Sequence, residues 1–76
     1  MSVLPRISGR EVVAVFRRLG YEVDRQKGSH IILRHSQPPH RRLTVPDHRE
    51  VANGTLRALI RETGISVEEF IRLVRG

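Results

Sequence analysis

The sequence predicts an α+β fold in which a three-stranded antiparallel sheet carries helices on one face, in the order α-β-β-β-α-α. Two observations predict it. Single apolar stripes at helical spacing occupy both ends of the chain. Between them lie short runs with period-two alternation and β-branched centres, separated by turn residues. With 76 residues the chain has material for one small core, so residues 1–76 are read as a single domain.

Ser8 and Glu11 have the spacing of a capping box, in which each side chain bonds the other residue's backbone N–H. Val12, Val15, Phe16 and Leu19 follow as one stripe, and Gly20 supplies a stop, giving a helix over about residues 9–19. Tyr21 to Gln26 alternates and reads as a strand. Lys27 and Gly28 make a turn, and Ser29 to His35 is a second strand centred on Ile31, Ile32 and Leu33. Pro38 and Pro39 place residues 36–40 in a loop, because proline cannot donate to a ladder. Arg41 to Val45 forms the third strand, ended by Pro46. After a polar loop, Asn53 or Thr55 caps a helix carrying Leu56, Leu59 and Ile60, which Gly64 ends. Ser66 and Glu69 form a second capping box before a stripe of Val67, Phe70, Ile71 and Val74.

One apolar stripe per helix implies that all three helices cover the same sheet face. Alternation along the second strand then puts Ile31 and Leu33 beneath the helices and leaves His30, Ile32 and Arg34 on the open face.

Charge narrows the function. Fourteen Lys and Arg against eight Asp and Glu give a net charge of +6, and thirteen of the fourteen cations are Arg. Guanidinium forks match phosphate oxygens, so the field and its chemistry suit a nucleic acid or an acidic protein surface. An Arg-rich codon usage gives the same composition with no functional meaning. Absence of Cys excludes disulfides and thiolate metal sites and accords with a cytoplasmic protein. No run is long and apolar enough to span a membrane, and the first residues lack the apolar stretch of a signal peptide.

Residues 25–30 concentrate the chemistry. Arg25 and Lys27 offer phosphate-binding charge, Gly28 lets a phosphate approach the backbone, and Ser29 brings a hydroxyl. His30 stands one step into a strand, where its direction is fixed. An imidazole can take a proton from a ribose 2′-OH or give one to a leaving oxygen near neutral pH. By these residues alone, a hairpin with a surface histidine is the favoured reading.

The run from Arg25 to His35 resembles the core motif of HicA-type toxins, also called the YcfA-like family. Val45, Pro46, Asp47 and His48 are similar to a second family pattern, and Gly54 to Phe70 to a third, in the family's order. The resemblance implies a double-stranded-RNA-binding-like α-β-β-β-α fold with an extra C-terminal helix. It implies endoribonuclease activity on mRNA without metal or other cofactor, and a HicB-type antitoxin as partner. The family's catalytic histidine falls on His30 and its motif glycine on Gly28. The segment from Ser36 to Arg42 departs from the family pattern, being longer and more basic.

On this reading RNA phosphates lie along Arg25, Lys27 and Arg34, with Arg41 and Arg42 as lesser contacts and Gly28 and Ser29 at the turn. His48 binds RNA, serves as a second proton-transfer group, or fixes its loop. His35 and His40 are expected to be solvated. The four histidines lack the spacing of a metal site. Glu22 and Asp24 are too isolated for a paired-carboxylate hydrolase. The last two helices imitate a helix-turn-helix, but Glu68 and Glu69 at the start of the second would repel DNA phosphates, so DNA is not expected as a partner. A non-catalytic RNA-binding module of the same fold is the alternative.

Overall fold

The computed structural model describes residues 3–76. Its elements are α1 (Gly9–Arg17), β1 (Tyr21–Lys27), β2 (His30–His35), β3 (Arg42–Pro46), α2 (Asn53–Thr63) and α3 (Val67–Arg75). The strands form one antiparallel sheet in the order β1-β2-β3. This is the α+β arrangement that the hydrophobic periodicity predicts.

The capping box of α1 forms as expected: Glu11 N–H donates to Ser8 Oγ at 3.1 Å and Ser8 N–H to Glu11 Oε1 at 2.9 Å. The Ser8 bonds hold the Glu11 carboxyl below its usual range. The helix ends at Arg17 rather than Leu19, because the last residues tighten into a turn at Gly20, whose φ is 99°. Gly9 sits where α1 crosses the end of β3, and a Cβ there would overlap the Pro46 carbonyl.

Two other caps differ from expectation. Ala52, not Asn53 or Thr55, is the N-cap of α2 and makes no side-chain cap bond. At α3 only half the box forms. Glu69 N–H donates to Ser66 Oγ at 3.0 Å, whereas the Glu69 carboxylate is taken by Arg72 at 2.6 Å. That pair is i, i+3 on one helix face, and it competes with the reach back to Ser66.

Phe16, Leu33, Val45, Leu56 and Phe70 form the centre of the core, with Phe16 edge-on to Phe70 at 5.9 Å. Ile31 and Leu33 are buried beneath the helices, as alternation requires. Both α1 and α2 pack on the sheet, but α3 leans chiefly on α1 and α2. The sheet is only three strands wide, and two helices nearly fill its face. The other sheet face is left open. No helix among the described residues is long and apolar enough to cross a membrane.

Candidate functional site

The register of the sheet decides what shares the open face. Residues paired across strands point to the same side, with Cβ atoms about 5 Å apart. Lys27, His30 and Pro46 form one row, Arg25, Ile32 and Thr44 the next, and Glu22, Arg34 and Arg42 the last. His30 therefore stands in the first row, beside the hairpin tip, exposed and with no side-chain hydrogen bond to a described residue. Arg34 lies two rows further along β2, about 13 Å away at strand rise.

Arg25 reaches this face through an irregularity. Strict alternation from Tyr21 would turn Arg25 inward with Tyr21 and Val23. The register slips between Val23 and Arg25, leaving Asp24 as an extra residue. A bulge of this kind puts two residues opposite one and resets the alternation. Arg25 and Lys27 then share the open face with His30, while Gln26 turns to the helix side. Asp24 reaches Arg42 at 3.7 Å from across the sheet.

The tip joining β1 to β2 has only two residues, Gly28 and Ser29. Gly28 has φ 59° and open space where a side chain would stand. Positive φ at the first loop residue is the signature of a type II′ hairpin, where glycine is favoured. The backbone beside His30 is consequently bare and open to a ligand.

A hydrogen-bonded clamp fixes this tip. Gln26 Nε2 donates to the Gly28 carbonyl at 3.1 Å and to Asp47 Oδ2 at 2.9 Å. Arg10 donates to the same carboxylate at 3.3 and 3.4 Å, and Asp47 N–H donates to the Ser29 carbonyl at 2.7 Å. These bonds, led by Arg10, hold the Asp47 carboxyl below its ordinary range. Asp47 thereby ties α1, the hairpin tip and the end of β3 together. Sequence reasoning missed this role: Asp47 lies 37 residues from Arg10 and 21 from Gln26, and its position within the Val45-to-His48 pattern was the only signal.

The remaining expected residues divide. Arg42 lies on the open face, but Arg41 lines a separate cleft with Tyr21, Pro38, Pro39 and Arg61. The third strand begins one residue later than Arg41, so the two neighbouring arginines face opposite sides. His48 is exposed, and its backbone carbonyl, not its ring, fixes the loop by accepting from Gly9 N–H at 2.9 Å.

The expected solvation of His35 and His40 is corrected. His35 Nδ1 accepts from Gln37 N–H at 3.0 Å, so its Nε2 carries the proton donated to the Leu19 carbonyl, also at 3.0 Å. Its ring stands edge-on to Tyr21 at 4.7 Å. His40 Nδ1 donates to the His35 carbonyl at 3.0 Å. Both rings brace the β2–β3 connection at the end of the sheet away from His30. Among the described residues, no three His, Asp or Glu gather as a metal-binding group.

A family model described as the HicA toxin of bacterial toxin–antitoxin systems matches residues 9–65, from the first helical residue to just before α3. No curated protein matches the chain.

Proposed function

The chain belongs to the HicA family of toxins of bacterial toxin–antitoxin systems, and on that premise we propose that it is an endoribonuclease that cuts mRNA with His30. The observation that carries this reading is the first row of the open face, where an imidazole with no hydrogen-bond partner among the described residues stands opposite Lys27, next to a bare two-residue tip.

The chemistry needs little else. The ribose 2′-oxygen attacks the adjacent phosphorus, its proton passing to a base, while the bond to the 5′-oxygen breaks and that oxygen takes up a proton. The products are a 2′,3′-cyclic phosphate and a free 5′-hydroxyl. His30 performs one of the two proton transfers, since an imidazole exchanges protons efficiently near neutral pH. Lys27 and Arg25 hold the phosphate charge, the Gly28 and Ser29 backbone receives the strand closely, and Arg34 and Arg42 guide it further along the sheet. His48, on the loop beside the tip, lies on the strand's path. The substrate is single-stranded, because a flat sheet face contacts unpaired bases more readily than a duplex.

A toxin acting on its host's own mRNA in the cytoplasm needs a restraint. A HicB-type antitoxin with an acidic surface would answer the same basic face and exclude RNA from it.

Incubating the purified protein with RNA in EDTA tests the reading. Cleavage that persists and leaves cyclic or 3′-phosphate ends supports it. A strict magnesium requirement, or cutting of a strand with 2′-deoxyribose at the attacking position, contradicts it. RNA retarded but never shortened would favour the non-catalytic binding module.

A further inference from the structure

The middle row of the open face forms a concavity of about 510 Å³ lined by Asp24, Arg25, Ile32, Arg42 and Thr44. Its floor and its rim differ in chemistry. Ile32 is half-buried, an apolar residue in a row whose other members are charged or hydroxylic. The rim carries one acceptor-only group, the Asp24 carboxylate, on the β1 side. Across the floor, on the β3 side, it carries the donor-only guanidinium of Arg42. Ile32 is two residues from His30 on the same face of the same strand, about 7 Å at strand rise.

We propose that this concavity is a nucleobase subsite that selects an unpaired guanine next to the bond cut at His30. The inference rests on the ribonuclease reading and adds the base that the site prefers. An apolar floor receives the face of a flat ring. A carboxylate presents two acceptors side by side, and guanine alone among the four bases offers two adjacent donors, N1–H and the N2 amino group, on its Watson–Crick edge. Adenine and cytosine set an acceptor beside their amino group there, and uracil flanks one N–H with carbonyls. Guanine's opposite edge presents O6 and N7, the pair of acceptors that an arginine fork matches. Strands β1 and β3 lie on either side of β2, so Asp24 and Arg42 address opposite edges of a ring seated on Ile32.

The bulge completes the subsite. Alternation already turns Asp24 to this face with Glu22, and the shift between Val23 and Arg25 sets Arg25 beside it. In the unliganded protein Asp24 and Arg42 meet over the floor at 3.7 Å, with side chains 38% and 63% exposed. So exposed a pair is weakly held. A guanine takes both partners from each other and satisfies each.

Cleavage of RNA oligonucleotides that differ at one base beside the cut tests this. The native protein is expected to prefer guanine there by about tenfold or more, the discrimination of one bidentate contact. Replacing that guanine by inosine, which lacks the N2 amino group, should forfeit most of the preference. Asp24→Asn should cut the guanine-to-inosine ratio to near one, and Arg42→Ala should erase sensitivity to 7-deazaguanine. A guanine preference that survives in Asp24→Asn, or no preference in the native protein, overturns the subsite while leaving the ribonuclease standing. Should the native protein cut no RNA, the ribonuclease reading fails by itself. The affinities of guanine- and inosine-containing strands for the His30→Ala protein then decide the subsite. A guanine advantage that Asp24→Asn removes supports it, and equal affinities overturn it.

Discussion

The Asp47 carboxylate accepts a hydrogen bond from Gln26 at 2.9 Å, and by that bond the loop after β3 grips the tip of the β1–β2 hairpin. The same Gln26 amide also holds the Gly28 carbonyl. The row containing His30 is thus framed by a side chain that contributes no chemistry of its own. It removes freedom that a two-residue tip would otherwise have.

This clamp sets an acid limit on stability. Asp47 is held below the ordinary carboxylate range by hydrogen bonds from Arg10 and Gln26. A carboxyl depressed in the folded state adds stability that is fully present above its unfolded pKa. That stability is lost as pH falls through the lowered folded value. Melting temperature should be level through neutral pH and fall in acid. Asp47→Asn should melt lower at neutral pH and show a shallower acid decline, Glu11 accounting for part of what remains. Identical melting profiles for the two proteins would remove the clamp from the account.

His35 should behave as a brace and not as a reagent. Both ring nitrogens are bonded, and the ring packs on Tyr21. His35→Ala leaves the Leu19 carbonyl and the Gln37 N–H without their partner and should cost about 1–3 kcal/mol in chemical unfolding. RNA cleavage by the folded fraction should be unchanged. Lost cleavage in a fully folded variant would place His35 in the chemistry.

Gly9 is expected to be intolerant of any side chain. A Cβ would overlap the Pro46 carbonyl, and both partners are backbone. Gly9→Ala should destabilise by about 2 kcal/mol or more, from forced displacement of α1 against β3. A urea midpoint equal to that of the native protein would show that the helix can shift without penalty.

Much of this was legible in the sequence, and the roles missed around the site have long-range contacts in common. Alternation over Ile31 to Arg34 assigned both faces of β2 because the side-chain period of a strand admits no other choice. The stripe of α1 was equally decisive, whereas α3 forms as a helix but packs chiefly on α1 and α2 and not on the sheet. The bulge at Asp24 left no mark in a short polar strand, yet it determines that Arg25 shares a face with His30. His35 and Asp47 were missed because their partners lie far along the chain, at Leu19 for one and at Arg10 and Gln26 for the other. Local pattern records what a residue does within a turn or two of itself. Clamps and braces are made by folding.

RNA binding should depend on place as well as on charge. Lys27 and Arg34 occupy the open face, whereas Arg72 and Arg75 lie on α3, and Arg72 is paired with Glu69. Lys27→Ala and Arg34→Ala should each weaken binding and lower the salt slope by about one unit. Arg72→Ala and Arg75→Ala should change neither. Equal losses from both pairs would mean that RNA is held by the general field of the protein and not by this face.

Whether His30 moves a proton in RNA cleavage is decided by the rate at which His30→Ala cuts RNA, measured beside its circular dichroism spectrum and its affinity for the same strand. The expected result is a native spectrum, RNA binding within a few-fold of the unaltered protein, and cleavage reduced by about a hundredfold or more, the contribution of a positioned acid–base group. Its induced expression should no longer arrest growth. A folded His30→Ala protein that cuts RNA at the native rate would contradict that role.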